Sequence, residues 1–273
     1  MKLTDVTMPA VAGVVRERTV KDAIESIKNY KSKGATLIDL HLSTLENQYR
    51  NVESIREIVK STNLPILALN YSQNYDYSPI DGVTEEERVG LLRIAAQAGV
   101  AGIDIQGYTF DFKSKSAFYG DKSVMFYKEG IKELVTNEEI IAKQTALIEE
   151  FHNMGCEVLL SNHPGVVLNS DQVVELAKFV SKRKPDIIKI VTTSECEEDN
   201  AEALKAMLRL KKELPCKVSY HLSGKYGHIS RVLNPTMGGF MMFCVDGDGP
   251  NNLPEQLQIT TAVAAVNSLK KIL

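Results

Sequence analysis

The sequence has no CxxC pair, no apolar run of membrane-spanning length, no glycine-rich phosphate loop and no marked excess of either charge. Each absence narrows the reading. The four cysteines, Cys156, Cys196, Cys216 and Cys244, lie in or beside apolar runs and lack metal-ligand spacing. They read as reduced thiols of a cytoplasmic protein. Cys196, in SECEED, is expected to be the most exposed, and its acidic neighbours disfavour a reactive thiolate. The absence of a long apolar run argues against a membrane partner. The opening stretch MKLTDVTMPAVAGVVRERT is broken by Pro9 and runs into charge, so it does not read as a signal peptide. A net charge of -3 with scattered lysines and arginines argues against nucleic acid. No GxGxxG or GxxxxGK follows the first apolar run, which argues against a doubly wound nucleotide-binding sheet.

What is present is a rhythm. The chain has 273 residues, 44% hydrophobic and 25% charged, enough for one large domain. Eight short apolar runs recur at 10–15, 36–43, 64–72, 101–107, 156–163, 185–193, 216–224 and 238–247. They are apolar almost throughout, as parallel strands covered on both faces should be. Amphipathic segments lie between them. TVKDAIESIKNYKSKGA places Val20, Ala23, Ile24, Ile27 and Tyr30 at helical spacing and stops at Gly34. Ser170 is expected to cap the helix that carries Val173, Val174, Leu176, Ala177 and Val180. Thr136 is expected to cap the next-earlier one, with Glu139 three residues on. Eight strand–helix units in about this length predict an α/β (β/α)8 TIM barrel, a single domain over 1–273. A long aromatic- and lysine-rich insertion follows strand 4, at 108–135. It reads equally as a lid or as a surface contact.

Chemistry in such a barrel sits at the C-terminal ends of the strands. Those ends offer Asp39, His41 and Ser43; Asn70, Tyr71 and Ser72; Asp104 and Gln106; Ser161, Asn162 and His163; Lys189, Thr192 and Thr193; His221 and Ser223. Lys189 stands among Ile187, Ile188, Ile190 and Val191, where desolvation would favour the neutral, nucleophilic amine. A stem-buried lysine with its head at the rim is the alternative. His163 ends the neighbouring strand and titrates near neutral pH, as a base beside an iminium must. Arg231 opens a helix and suits a carboxylate or phosphate. Asp39, His41, Asp104, Gln106 and His163 together would suit zinc or iron, but no HxxxH or HxD spacing supports a metal. DGDGPNN at 246–252 has no acidic twelfth ligand for calcium and reads as a loop.

The ordered set VLLSNH with His163, DIIKIV with Lys189 and GKYGHISR with Arg231 resembles the type I 3-dehydroquinate dehydratase family. Gly224, Gly227, Ser230 and Arg231 fill that family's G-x-x-G-x-x-S-R run. LPEQLQI resembles its closing segment, with Pro254 and Gln256 in register. The resemblance implies a (β/α)8 Schiff-base lyase of the shikimate pathway and aromatic amino acid biosynthesis, cytoplasmic and homodimeric, needing no metal or other cofactor. Its substrate would be a carboxylated β-hydroxy ketone. Lys189 and His163 would be catalytic, and Arg231 and Gln256 would bind substrate.

The chain departs from the family elsewhere. Asp39 and His41 stand at the family's Glu-x-Arg, and Tyr71 at its strand-3 arginine. Gln106 replaces a glutamate two residues after Asp104, Asn252 replaces a serine, and Glu255 a glycine. Only Asp76 is on offer for the glutamate that supports the histidine. Dehydration of 3-dehydroquinate to 3-dehydroshikimate is the leading expectation from the resemblance, and these changed positions make a related carboxylated β-hydroxy ketone the close alternative. The alternatives are a class I aldolase acting on another keto acid, or a non-catalytic homologue that binds a carboxylate.

Overall fold

The computed structural model describes residues 1–71, 83–111, 134–247, 252, 255–269 and 271. The elements run β1 (Ala10–Val15), α1 (Val20–Ser32), β2 (Leu37–His41), α2 (Val52–Lys60), β3 (Ile66–Leu69), α3 (Glu85–Ala98) and β4 (Gly102–Gln106). They continue with α4 (Glu138–Asn153), β5 (Glu157–Asn162), α5 (Ser170–Ser181), β6 (Ile187–Thr193), α6 (Asp199–Glu213) and β7 (Lys217–Ser223). The last are α7 (Ser230–Thr236), β8 (Met241–Val245), β9 (Leu257–Gln258) and α8 (Ile259–Leu269). All eight expected strands are present, and their alternation with helices is that of the (β/α)8 class. β9 was not expected; two residues are too few to show a period. Among the described residues no helix is long and apolar enough to cross a membrane.

The chain forms two compact units. The first comprises Met1–Asp104, Phe151–Glu157 and Met241–Leu273. Its strands pair in parallel, β1 with β2 and β8, β2 with β3, β3 with β4 and β8 with β9. The core is laid down by β1, buried along its whole length, and by Val20, Ala23, Ile27 and Tyr30 of α1. Gly13 is needed here, because a methyl group on it would lie 2.5 Å from the Tyr30 ring. The Tyr30 hydroxyl donates to the Val14 carbonyl at 2.9 Å. Burial pushes its pKa up to about 12. α1 ends as expected, with Gly34 left-handed at φ +100.

The second unit comprises Ile105–Glu150 and Val158–Phe240. β5, β6 and β7 pair in parallel. Two helix caps differ from expectation by one residue. Asn169, not Ser170, caps α5, accepting from the Gln172 amide at 3.0 Å while the Gln172 side chain accepts in return from the Asn169 amide. Ser170 is already helical, and its amide donates to Glu202. Asn137, not Thr136, serves α4, its Oδ1 accepting from the amides of Glu139 and Ile140. In each pair the asparagine amide oxygen takes the cap position; both residue types cap well, so sequence alone left them equal.

The expected insertion is anchored at both described ends. Tyr108, Thr109, Leu134 and Val135 are buried. Gln144 donates to the carbonyls of Gly107 and Thr109 at 2.9 Å and accepts from Arg183 Nε at 2.6 Å. Arg183 also donates to the Val135 carbonyl, and burial lowers its pKa to about 10. The remainder of the insertion, 112–133, lies outside the described residues, as do Ser72, Asp76 and Pro254. All four cysteines are free thiols, and Cys196 is the exposed one.

Candidate active site

In the second unit, strand register decides which side chains share a face. Partners in a parallel pair point the same way, and each strand alternates with period two. Ser161 pairs with Lys189, and Lys189 with Ser219. Val191 pairs with His221. One face therefore carries Ser161, Lys189 and Ser219 at one level. Val191 and His221 stand one pleat further on, and Thr193 and Ser223 stand beyond. Thr193 and Ser223 hydroxyls lie 3.4 Å apart, as that placement requires. The opposite face carries Thr192 and Tyr220, hydrogen-bonded at 3.1 Å, toward Asp199 and Glu202 of α6. Lys189 and His221 thus project away from the helix-covered side.

Lys189 is partly exposed between buried neighbours. His163 is half-buried, one residue past β5. Burial first, then the charges of Lys189 and Arg231, hold its imidazole well below the usual histidine pKa. His221 is 6% exposed. Burial, then Arg231, Lys189 and His163, hold it well below the usual value too. Both rings are therefore neutral bases at neutral pH.

Arg231 is placed by the local chemistry of GKYGHISR. Gly224 turns the chain after β7 in the left-handed region, φ +85. At Gly227 a methyl group would lie 2.7 Å from Leu222 Cβ and 2.9 Å from its carbonyl carbon, so only glycine lets the loop lie on the strand. The Ser230 hydroxyl accepts from the Leu222 amide at 2.8 Å and donates to the Gly227 carbonyl at 2.6 Å. That ties the start of α7 to the end of β7. Arg231, the next residue, is 7% exposed. Gln106, at the end of β4, is fully buried in this unit.

The first unit holds the remaining sequence candidates. His41 pairs with Leu69, and Leu69 with Asp104, so His41 and Asp104 share a face, with Asp39 one pleat earlier. His41 Nε2 lies 3.3 Å from Asp39 Oδ2, both side chains buried. The other Asp39 oxygen is buried without a hydrogen-bond partner among the described residues. The Tyr71 hydroxyl donates to Asp104 Oδ2 at 3.2 Å. Gln256 accepts from Arg16 at 2.9 Å. Asn252 donates to the Gly247 carbonyl at 2.9 Å.

Two residues here were not singled out from the sequence. Arg16 was not named from the sequence; its burial, 8% exposed, and its bond to Gln256 mark it as part of this polar group. His221 was noted at a strand end without a role. Its signal, parity with Lys189 on the next strand, needs the register.

These features define a (β/α)8 enzyme whose second unit gathers a lysine and two neutral histidines at its strands. The chain belongs to the type I 3-dehydroquinase family, whose model matches residues 11–272. It is a carbon–oxygen lyase of that family. A 3-dehydroquinate dehydratase of Dehalococcoides mccartyi is 26% identical over 246 residues, covering 90% of each chain. One of Aromatoleum aromaticum is 24% identical over 231 residues, 84% of this chain and 78% of the relative. Among solved structures, the 3-dehydroquinate dehydratase of Geobacillus kaustophilus superposes with a TM-score of 0.77 at 16% identity, over 99% of this chain and 96% of the other. The type I enzyme of Clostridium difficile, solved with covalently modified comenic acid, gives 0.73 at 17%, over 97% and 94%. The solved structures share the fold.

Proposed function

We propose that the chain is a Schiff-base dehydratase that removes water from a carboxylated β-hydroxy ketone. Conversion of 3-dehydroquinate to 3-dehydroshikimate, in the shikimate pathway, is the reaction that family membership favours. Lys189 condenses with the ketone. The iminium acidifies the adjacent carbon, His163 takes its proton, and the β-hydroxyl leaves as water. Arg231 holds the substrate carboxylate through charge-assisted hydrogen bonds. The observation that carries this reading is a neutral His163 just past β5, within electrostatic reach of Lys189 on the adjacent strand and of Arg231.

Substrate contacts are proposed for Gln256, Asp39, His41, Tyr71, Asp104 and Asn252 in the first unit and for Gln106 in the second. A second substrate is favoured by one observation. Asp39 and His41 form a buried pair where the family reads hydroxyls with Glu-x-Arg, which points to a related ketone with a different hydroxyl pattern. A cytoplasmic homodimer accompanies the reading, and sedimentation velocity tests the dimer.

Borohydride added with 3-dehydroquinate is expected to leave a reduced adduct on Lys189, located by peptide mass mapping. An adduct with a different keto acid only would move the substrate. No adduct with any ketone, and turnover intact in Lys189→Ala, would sink imine chemistry.

A further inference from the structure

Strand register places His221 beside Lys189, on β7, the neighbour opposite β5. His163 directly follows β5 and feels the charge of Lys189, and His221 stands one pleat beyond Lys189 on β7. The reading above uses only the first imidazole. Imine chemistry has two separate proton tasks, one at the carbon beside the iminium and one at the nitrogen and oxygen of the condensing centre. We propose that His221 is the proton carrier of imine formation on Lys189, leaving His163 for the carbon acid; this rests on the Schiff-base reading.

The step balances. Neutral His221 accepts a proton from the Lys189 ammonium. The free amine adds to the ketone carbon, and its nitrogen proton passes to the oxygen to give the carbinolamine. His221 then returns its proton to the carbinolamine hydroxyl, which leaves as water while the nitrogen lone pair forms the C=N bond. Ammonium and ketone become iminium and water, and the imidazole is neutral before and after. Hydrolysis of the product imine is the same path reversed.

The surroundings of His221 fit a neutral carrier. Lys189 faces it from β6, His163 from β5 and Arg231 from α7. Asp199 and Glu202 of α6 act on Tyr220, whose side chain is on the other face. The groups acting on the ring are thus two cations and a second imidazole, and they and its burial keep it in the base form.

Rapid-quench borohydride trapping with 3-dehydroquinate separates this assignment from the one beneath it. His221→Gln is expected to slow the burst of Lys189 adduct by about 10²-fold or more. His163→Gln is expected to keep the burst and lose turnover. Equal bursts in the unmodified enzyme and both variants overturn the carrier role and leave the imine reading standing. Absence of any adduct in the unmodified enzyme removes both.

In His221→Ala, free imidazole is expected to restore the burst, and failure to restore it in a folded variant counts against the role. Should both substitutions unfold the chain, the unmodified enzyme decides. Its burst rate must rise with pH along a limb below about 6.5 and slow in deuterium oxide. A burst rate flat through that range overturns the proposal.

Discussion

The two units place different chemistry on their strand ends. In the second, the face of β5, β6 and β7 carries Lys189, His221 and small hydroxyls, with His163 just past β5 and Arg231 on α7. In the first, the polar side chains are already engaged with one another: Asp39 with His41, Tyr71 with Asp104, Arg16 with Gln256. In the second unit burial and neighbouring cations hold the imidazoles in the neutral form. Groups suited to reading a shape are held by mutual hydrogen bonds. The two sets are fixed by separate parts of the chain.

The sharpest way to break the comparison is Lys189→Ala. It is expected to abolish adduct formation and lower kcat/KM by on the order of 10³-fold or more, read by trapping and steady-state assay. If turnover survives, the second unit is not the chemical one. Arg231→Lys keeps the charge and loses the paired geometry. An expected rise in KM of about 10- to 100-fold, with kcat less affected, would assign it to substrate holding. Gly227→Ala forces a methyl group against Leu222 and is expected to cost about 1–3 kcal/mol by urea unfolding.

Acid sharpens the contrast further. His163 and His221 have folded-state pKa values below the unfolded value near 6.5. The unfolded chain therefore binds more protons below that pH, so stability rises with pH through the window and is lost on acidification. The slope approaches about 1.4 kcal/mol per pH unit for each ring, and urea unfolding of His221→Gln should show a shallower one. The smallest effect is expected in the first unit. Tyr71→Phe removes one hydrogen bond to Asp104 and should change stability by about 0.5–1.5 kcal/mol, while altering the preference among hydroxylated keto acids in competition assays.

Much of this was legible before any coordinates. Continuous apolar runs marked all eight main strands, because strands covered on both faces bury every residue. Lys189, His163 and Arg231 stood out as polar residues at strand or helix ends in a recognisable order. What escaped depends on partners that sequence does not display. Caps were misplaced by one residue where Asn adjoins Ser or Thr. Arg16 has no distinguishing sequence signal, and only its contact with Gln256 reveals it. His221 looked like any strand histidine until pairing with Val191 set its parity with Lys189.

The Ser230 hydroxyl carries a consequence for how this loop can vary. By gripping the Leu222 amide and the Gly227 carbonyl together, it works as a length gauge between strand and guanidinium. Lys225, Tyr226, His228 and Ile229 are exposed and can change identity at little cost. Adding or deleting even one residue would put the wrong side chain at the gauge. The loop should therefore drift freely in composition among relatives while its residue count stays constant.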